Sequence, residues 1–247
     1  MQNFQDKVIL ITGAAGGFGS LMAKKLCAAG AKLVLGDLNA GLLEQLKDSL
    51  PGEVICMRCD VTQESDVQQL AEAANETFGR LDIAINNAGI SSPMKGLLET
   101  TEEDMDLNFA VNAKGVFFGM KHQIPFMLRQ GEGIILNVAS VAGLSGAPKL
   151  TAYAAAKHAV VGITRTAAVE FARKNIRINA VCPFYSPTPL VTQSDIAQMQ
   201  EFLSAASPMK RLGTPEEMVN AMMLIIDPDN SYMTGQAIAI DGGVLAL

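Results

Sequence analysis

No run of lysine or arginine occurs in the 247 residues, and acidic side chains outnumber basic ones, 25 to 19, for a formal charge of −6. Without a basic stripe the chain has little with which to neutralise phosphates, so nucleic acid and anionic membrane surfaces are excluded as expected partners. Long apolar runs are missing too. Two uncharged stretches, Val8 to Ala23 and Gly133 to Pro148, fall short of the roughly 18 to 20 residues that span a bilayer, and glycine and polar residues interrupt both. Met1 to Lys7 offers no basic leader region, so no secretory signal is expected. There is no repeat of fixed period and no Pro/Gly/Ser linker. One domain over residues 1–247 is therefore expected, although about 150 residues per domain would allow two.

Cysteine is scarce. Of Cys27, Cys56, Cys59 and Cys182, only Cys56 and Cys59 form a Cys-x2-Cys pair. A redox pair of that kind opens a helix, and a zinc knuckle needs a second ligand pair. This pair lies in a strand-like segment, where positions i and i+3 face opposite sides. Structural thiols in a reduced, cytoplasmic setting are expected, with no metal site.

What is present is 49% apolar residues, a globular share, arranged as short β-branched runs alternating with helical stretches. Strands are expected at Lys7–Thr12, Lys32–Asp37, Glu53–Cys59, Asp82–Asn86, Gly133–Val138, Ile176–Val181 and Gln236–Ile240. Helices are expected at Gly17–Ala29, Ala40–Leu50, Glu64–Phe78, within Glu102–Gln130, at Thr151–Lys174 and after Thr214. This alternation predicts an α/β fold, doubly wound, with about seven parallel strands and helices on both faces. One irregular, proline-containing and apolar stretch, residues 184–208, is expected to form a substrate-binding lid.

The first strand ends in Thr12-Gly13-Ala14-Ala15-Gly16-Gly17-Phe18-Gly19 and runs into a helix. Glycines there let a backbone turn tightly and approach a pyrophosphate, whose charge meets the helix N-terminus. Asp37 ends the second strand, where an acid can bind the adenosine ribose hydroxyls. A 2′-phosphate beside that carboxylate, at ~4 Å and an effective dielectric of ~20, would cost about 4 kcal/mol, roughly a thousandfold in affinity. Gly16 and Leu38, where a cation could offset this, are neutral, so NAD is predicted over NADP.

Tyr153 and Lys157 stand four residues apart, thirteen or more residues after Ser140. On a helix they share a face. An ammonium beside a phenol favours the phenolate and lowers its pKa, making a general acid or base, and Ser140 can hold a substrate oxygen against it.

Together these residues resemble the short-chain dehydrogenase/reductase family along the whole chain. The glycine turn matches through Gly13, Gly17 and Gly19. Asp60-Val61, Asn86-Asn87-Ala88-Gly89, Asn112 in Val-Asn-Ala-Lys-Gly, and Ser140, Tyr153 and Lys157 match in order. The resemblance implies a Rossmann fold and a catalytic tetrad of Asn112, Ser140, Tyr153 and Lys157. It implies cofactor contacts from Gly13, Ala15, Gly16, Gly17, Phe18, Gly19, Asp37, Leu38, Asp60, Val61, Asn87, Ala88, Gly89, Tyr153 and Lys157. It also implies a homotetramer. Phe18 replaces the usual aliphatic residue. The family's Pro-Gly-x3-Thr appears as Pro183-Phe184-Tyr185-Ser186-Pro187-Thr188. Phe184 cannot take a positive φ cheaply, so either the backbone stays in an ordinary region or this nicotinamide wall of Pro183, Phe184, Ser186 and Thr188 moves.

The implied reaction has Tyr153 take an alcohol proton while hydride passes to nicotinamide. Lys157 lowers the phenol pKa and binds the ribose, Ser140 donates to the substrate oxygen, and Asn112 holds a relay water. Substrate contacts are expected from Ser140, Tyr153, Tyr185 and Leu190. The lid is apolar, and lysine and arginine are absent between Pro183 and Met209, so a secondary alcohol or its ketone is the expected substrate. The alternatives are a 3-oxoacyl-carrier-protein reductase, with Arg129, Arg173 and Lys174 available for docking, and a non-catalytic NAD-binding interaction protein. His122 and His158 are expected to pack or meet solvent.

Overall fold

The computed structural model describes residues 4–246, apart from the side chains at 195 and 196. Its strands are β1 (Val8–Thr12), β2 (Lys32–Asp37), β3 (Val54–Arg58), β4 (Ile83–Asn86), β5 (Gly133–Val138), β6 (Ile176–Pro183) and β7 (Ala237–Ile240). They pair in parallel as one sheet in the order β3-β2-β1-β4-β5-β6-β7. The order reverses between β1 and β4, the switch point of a doubly wound Rossmann fold.

The helices are α1 (Gly17–Ala28), α2 (Ala40–Asp48), α3 (Glu64–Phe78), α4 (Glu102–Asn108), α5 (Gly115–Gln130), α6 (Thr151–Phe171), α7 (Pro189–Thr192), α8 (Gln200–Ala206) and α9 (Pro215–Ile225). All five residues of β1 are buried, because both sheet faces are covered. Alternation then divides the core. Val8 and Leu10 pack with α3, α5 and α6, whereas Ile9 and Ile11 pack with α1, α2 and α9. Cys59 belongs to the first cluster and Cys56 packs against the second, as their spacing requires, and burial pushes their thiols up to about 12 and about 11.

Three expected elements take a more specific form. The helical region 102–130 is interrupted by a π-helical turn, Phe109–Lys114, between α4 and α5. The helix from Thr151 leaves α geometry at Phe171 and finishes in a 3-10 turn, Ala172–Lys174. The stretch 184–208 is not irregular throughout. Pro189 sits at the first position of α7, where its missing N–H costs nothing, and a 3-10 segment, Asp195–Met199, leads into α8. No helix among the described residues is long and apolar enough to cross a membrane.

Candidate active site

The site grows from the switch point, where Thr12 and Asn86 end paired strands. The Thr12 hydroxyl accepts from the Asn87 and Ala88 amides at 3.1 and 3.2 Å, and Asn87 Nδ2 donates to the Thr12 and Gly13 carbonyls at 3.1 and 2.9 Å. Gly13 turns the chain here with φ +63°, and a Cβ on it would stand 2.7 Å from Ala88 Cα. The motif after β4 thus holds the glycine turn in place. A Cβ on Gly17 would stand 2.7 Å from Thr188 Cβ, so the segment after β6 rests directly on this turn.

A cavity of about 840 Å³ opens above these strand ends. Every site residue expected from the sequence lines it, with the exception of Gly19, which packs against the Gly13 carbonyl inside the turn. Asp37 Oδ2 accepts from the Ala15 amide and Oδ1 from the Asn39 amide, both at 2.9 Å, tying the end of β2 to the glycine turn. Asp60 Oδ1 accepts from Thr62 N and Oγ1 at 3.0 and 2.7 Å.

At the other end, α6 brings Tyr153 and Lys157 to one face. Lys157 is 4% exposed, donates from Nζ to the Val138 carbonyl at 2.9 Å, and lies 5.6 Å from the centre of the Tyr153 ring. Ser140 follows β5 in extended backbone, and its Oγ accepts from Ala142 N at 3.1 Å, capping a short 3-10 turn. That turn packs on α6 at Lys157, since a Cβ on Gly143 would stand 2.6 Å from the Lys157 carbonyl oxygen.

The ionisation differs from the expectation of a lowered phenol. Burial pushes Tyr153 up to about 12, and hydrogen bonding with Ser140 recovers only part of that. Burial also brings Lys157 down to about 8. The lysine lies over the ring and is itself easier to discharge, and desolvation dominates both groups. Asn112 lies on the wall of the same cavity. Its side chain is spent on the Ile90 amide (3.0 Å), the Ile90 carbonyl (3.1 Å) and Asn108 Oδ1 (3.1 Å), so a relay water would have to use its backbone.

Phe184 keeps an ordinary φ, the first of the two options the sequence leaves. Its amide donates to the Ile240 carbonyl at 3.0 Å, and its ring meets Tyr185 edge-on, 4.9 Å between centroids. With Tyr153 these rings pack on a small apolar cluster of Leu150, Val191 and Leu203. Sequence reasoning missed Ile90 and the pair Val244 and Leu245, which also line the cavity. No spacing signal marks them. His122 pairs with Glu64 at 2.9 Å and His158 bonds the Ala154 carbonyl, away from the reacting groups. No cluster of metal-ligating side chains occurs among the described residues.

The family model described as Enoyl-(Acyl carrier protein) reductase matches residues 13–245. The chain belongs to the short-chain dehydrogenase/reductase family. Among curated members it is 38% identical over 244 residues to the 3-oxoacyl-[acyl-carrier-protein] reductase FabG of Thermotoga maritima, covering 98% of each chain. It is 37% identical over 242 residues to the cyclohexanol dehydrogenase of Acinetobacter sp., covering 97% of this chain and 95% of that one. The crystal structure of 3-ketoacyl-(acyl-carrier-protein) reductase from Brucella melitensis complexed with NADH superposes with a TM-score of 0.92 at 35% identity, over 98% of this chain and 99% of that chain. This short-chain dehydrogenase/reductase is thus an oxidoreductase of a nicotinamide-using family. Its own residues fit such a group: Gly13 and Gly17 form a cradle that a Cβ would fill, and Ser186 Oγ on the cavity wall is buried without a hydrogen-bond partner among the described residues.

Proposed function

We propose that this protein is an NAD-dependent dehydrogenase that interconverts a largely apolar secondary alcohol and its ketone, through a tetrad of Asn112, Ser140, Tyr153 and Lys157. The observation that carries the reading is the convergence of Ser140, Tyr153 and Lys157 in one cavity whose near wall is the apolar cluster of Leu150, Val191 and Leu203. The residues 184–208 serve as its lid. A pocket with apolar walls and a few placed polar groups favours a small apolar ligand over a phosphorylated one.

Tyr153 Oη accepts the alcohol proton, or returns it to the carbonyl oxygen in the reverse direction. Ser140 Oγ, already accepting from Ala142, turns its own hydrogen to the substrate oxygen. Lys157 in its ammonium form stabilises the phenolate. A dinucleotide held by the glycine turn and Asp37 would supply the hydride acceptor and, when oxidised, positive charge to offset the burial penalty on the phenol. Asn112 holds the Ile90 segment beside Lys157; a Cβ on the intervening Gly89 would lie 2.8 Å from Asn112 Oδ1 and 3.5 Å from Lys157 Nζ. Asp37 favours NAD by repelling a 2′-phosphate, with Leu38 beside it neutral.

The relatives named for 3-oxoacyl-carrier-protein reduction support a second reading, in which the substrate is a carrier-bound thioester. A screen of cyclic and linear secondary alcohols and 3-oxoacyl thioesters, each with NAD(H) and NADP(H), separates the two. Alcohol turnover with NAD, abolished by Tyr153→Phe while NADH still binds, is the expected result. Faster turnover of thioesters with NADPH overturns it. In the cell we place the enzyme in the cytoplasm as a homotetramer; the exposed Leu107, Phe117 and Val169 on α4, α5 and α6 supply apolar surface for association.

A further inference from the structure

The chain beyond β7 builds part of the cavity wall and takes no part in the chemistry above. Asp241 ends the strand, and its carboxylate takes two backbone amides: Oδ1 accepts from Gly243 N at 2.9 Å and Oδ2 from Leu245 N at 2.8 Å. Gly242 and Gly243, with φ +63° and +91°, reverse the chain in a conformation costly for any side chain. A 3-10 turn, Val244–Ala246, follows, and Val244 and Leu245 line the cavity. The reversal leans on the far end of the 184–208 stretch. A Cβ on Gly242 would stand 3.0 Å from Ser207 Oγ, and one on Gly243 3.4 Å from Pro208 Cγ. The preceding helix, α8, contributes Phe202 and Leu203 to the same cavity, and Leu203 shares a cluster with Tyr153 and Tyr185.

We infer that Leu245 determines specificity by limiting the length of the apolar substrate body, and that Asp241 is a positioning residue acting through it. This rests on the reading of the cavity as a site for apolar alcohols and ketones. Leu245 is 37% exposed, so part of its side chain is free to meet a ligand. Two charge-assisted bonds fix the tail that carries it. An amide at 241 keeps one acceptor oxygen and turns an NH2 group toward the second N–H, so one of the two bonds is lost.

The test measures dissociation constants of linear 2-alkanones of increasing length for the NADH complex by calorimetry, alongside kcat/KM. Leu245→Ala opens room for two or three carbons. Affinity for the longer ketones should rise about fourfold for each methylene newly buried, with short ones and NADH unchanged. Asp241→Asn should shift the series the same way and add nothing in the Leu245→Ala background. A length profile identical in wild type and Leu245→Ala overturns the role of Leu245. Full additivity of the two substitutions overturns the link to Asp241. If no ketone is turned over, the proposed function fails, and the binding series still decides the role of Leu245; absence of length-dependent binding in both proteins counts against it.

Discussion

Burial makes Lys157 easier to discharge than an ordinary lysine, and that has a measurable consequence for folding. Its pKa falls from 10.5 to about 8 in the folded chain. Below about pH 8 both states are charged, and the folded state carries the whole desolvation penalty, on the order of 3 kcal/mol. Between about 8 and 10.5 the unfolded chain keeps a proton that the folded chain has released, so the penalty from this lysine fades as pH rises. Tyr153, raised from 10 to about 12, acts oppositely above pH 10, where the folded chain keeps the proton longer. Urea unfolding of wild type and Lys157→Met should therefore diverge: from pH 8 to 10 the wild type gains stability relative to the variant, while the buried thiols of Cys56, Cys59 and Cys182, raised by burial, pull both curves down alike. Parallel curves would contradict the burial argument. That Tyr153 and Lys157 share a face was legible from spacing, because a helix fixes which residues do so, whereas Ser140 lies off that helix and was joined to them through the family resemblance. Their ionisation was not legible, because desolvation depends on what the rest of the chain packs around them. Asn112 likewise meets Ile90, 22 residues away, through a turn no local pattern announces.

At the level of elements, the strands and helices that carry the site are tied by a buried amide network. Asn86 Nδ2 donates to Gln123 Oε1 at 3.2 Å and to Asn137 Oδ1 at 2.9 Å; Gln123 Nε2 donates back to Asn86 at 2.8 Å, and Asn137 Nδ2 donates to Thr164 Oγ1 at 2.9 Å. This joins β4 and β5 to α5 and α6. Asn137→Ala should cost about 2–3 kcal/mol in urea unfolding, since it leaves partners on both sides buried and short of a bond. A cost near zero would mean that the network contributes little. Most element boundaries followed from periodicity to within a residue or two. The exceptions were places where one residue type has two meanings. Pro189 reads as a breaker, yet starts α7, and no sequence signal marked the π-helical turn at Phe109–Lys114.

For the whole molecule, alternation of strands and helices was sufficient to expect a parallel sheet with both faces covered, and the division of the core between Val8/Leu10 and Ile9/Ile11 follows from it. The contribution of Val244 and Leu245 was not legible, because apolar residues there serve equally for association or for packing at home. One contact reaches furthest into the working cycle. Thr188 sits on Gly17, so the turn that would receive a pyrophosphate lies beneath the very segment that walls the substrate chamber. A dinucleotide seated first would form the floor on which that segment rests. Steady-state kinetics should accordingly be compulsory-order, with the coenzyme first on and last off: the reduced coenzyme competes with the oxidised one, whereas the second product does not. A random mechanism would mean that the two chambers fill independently of each other.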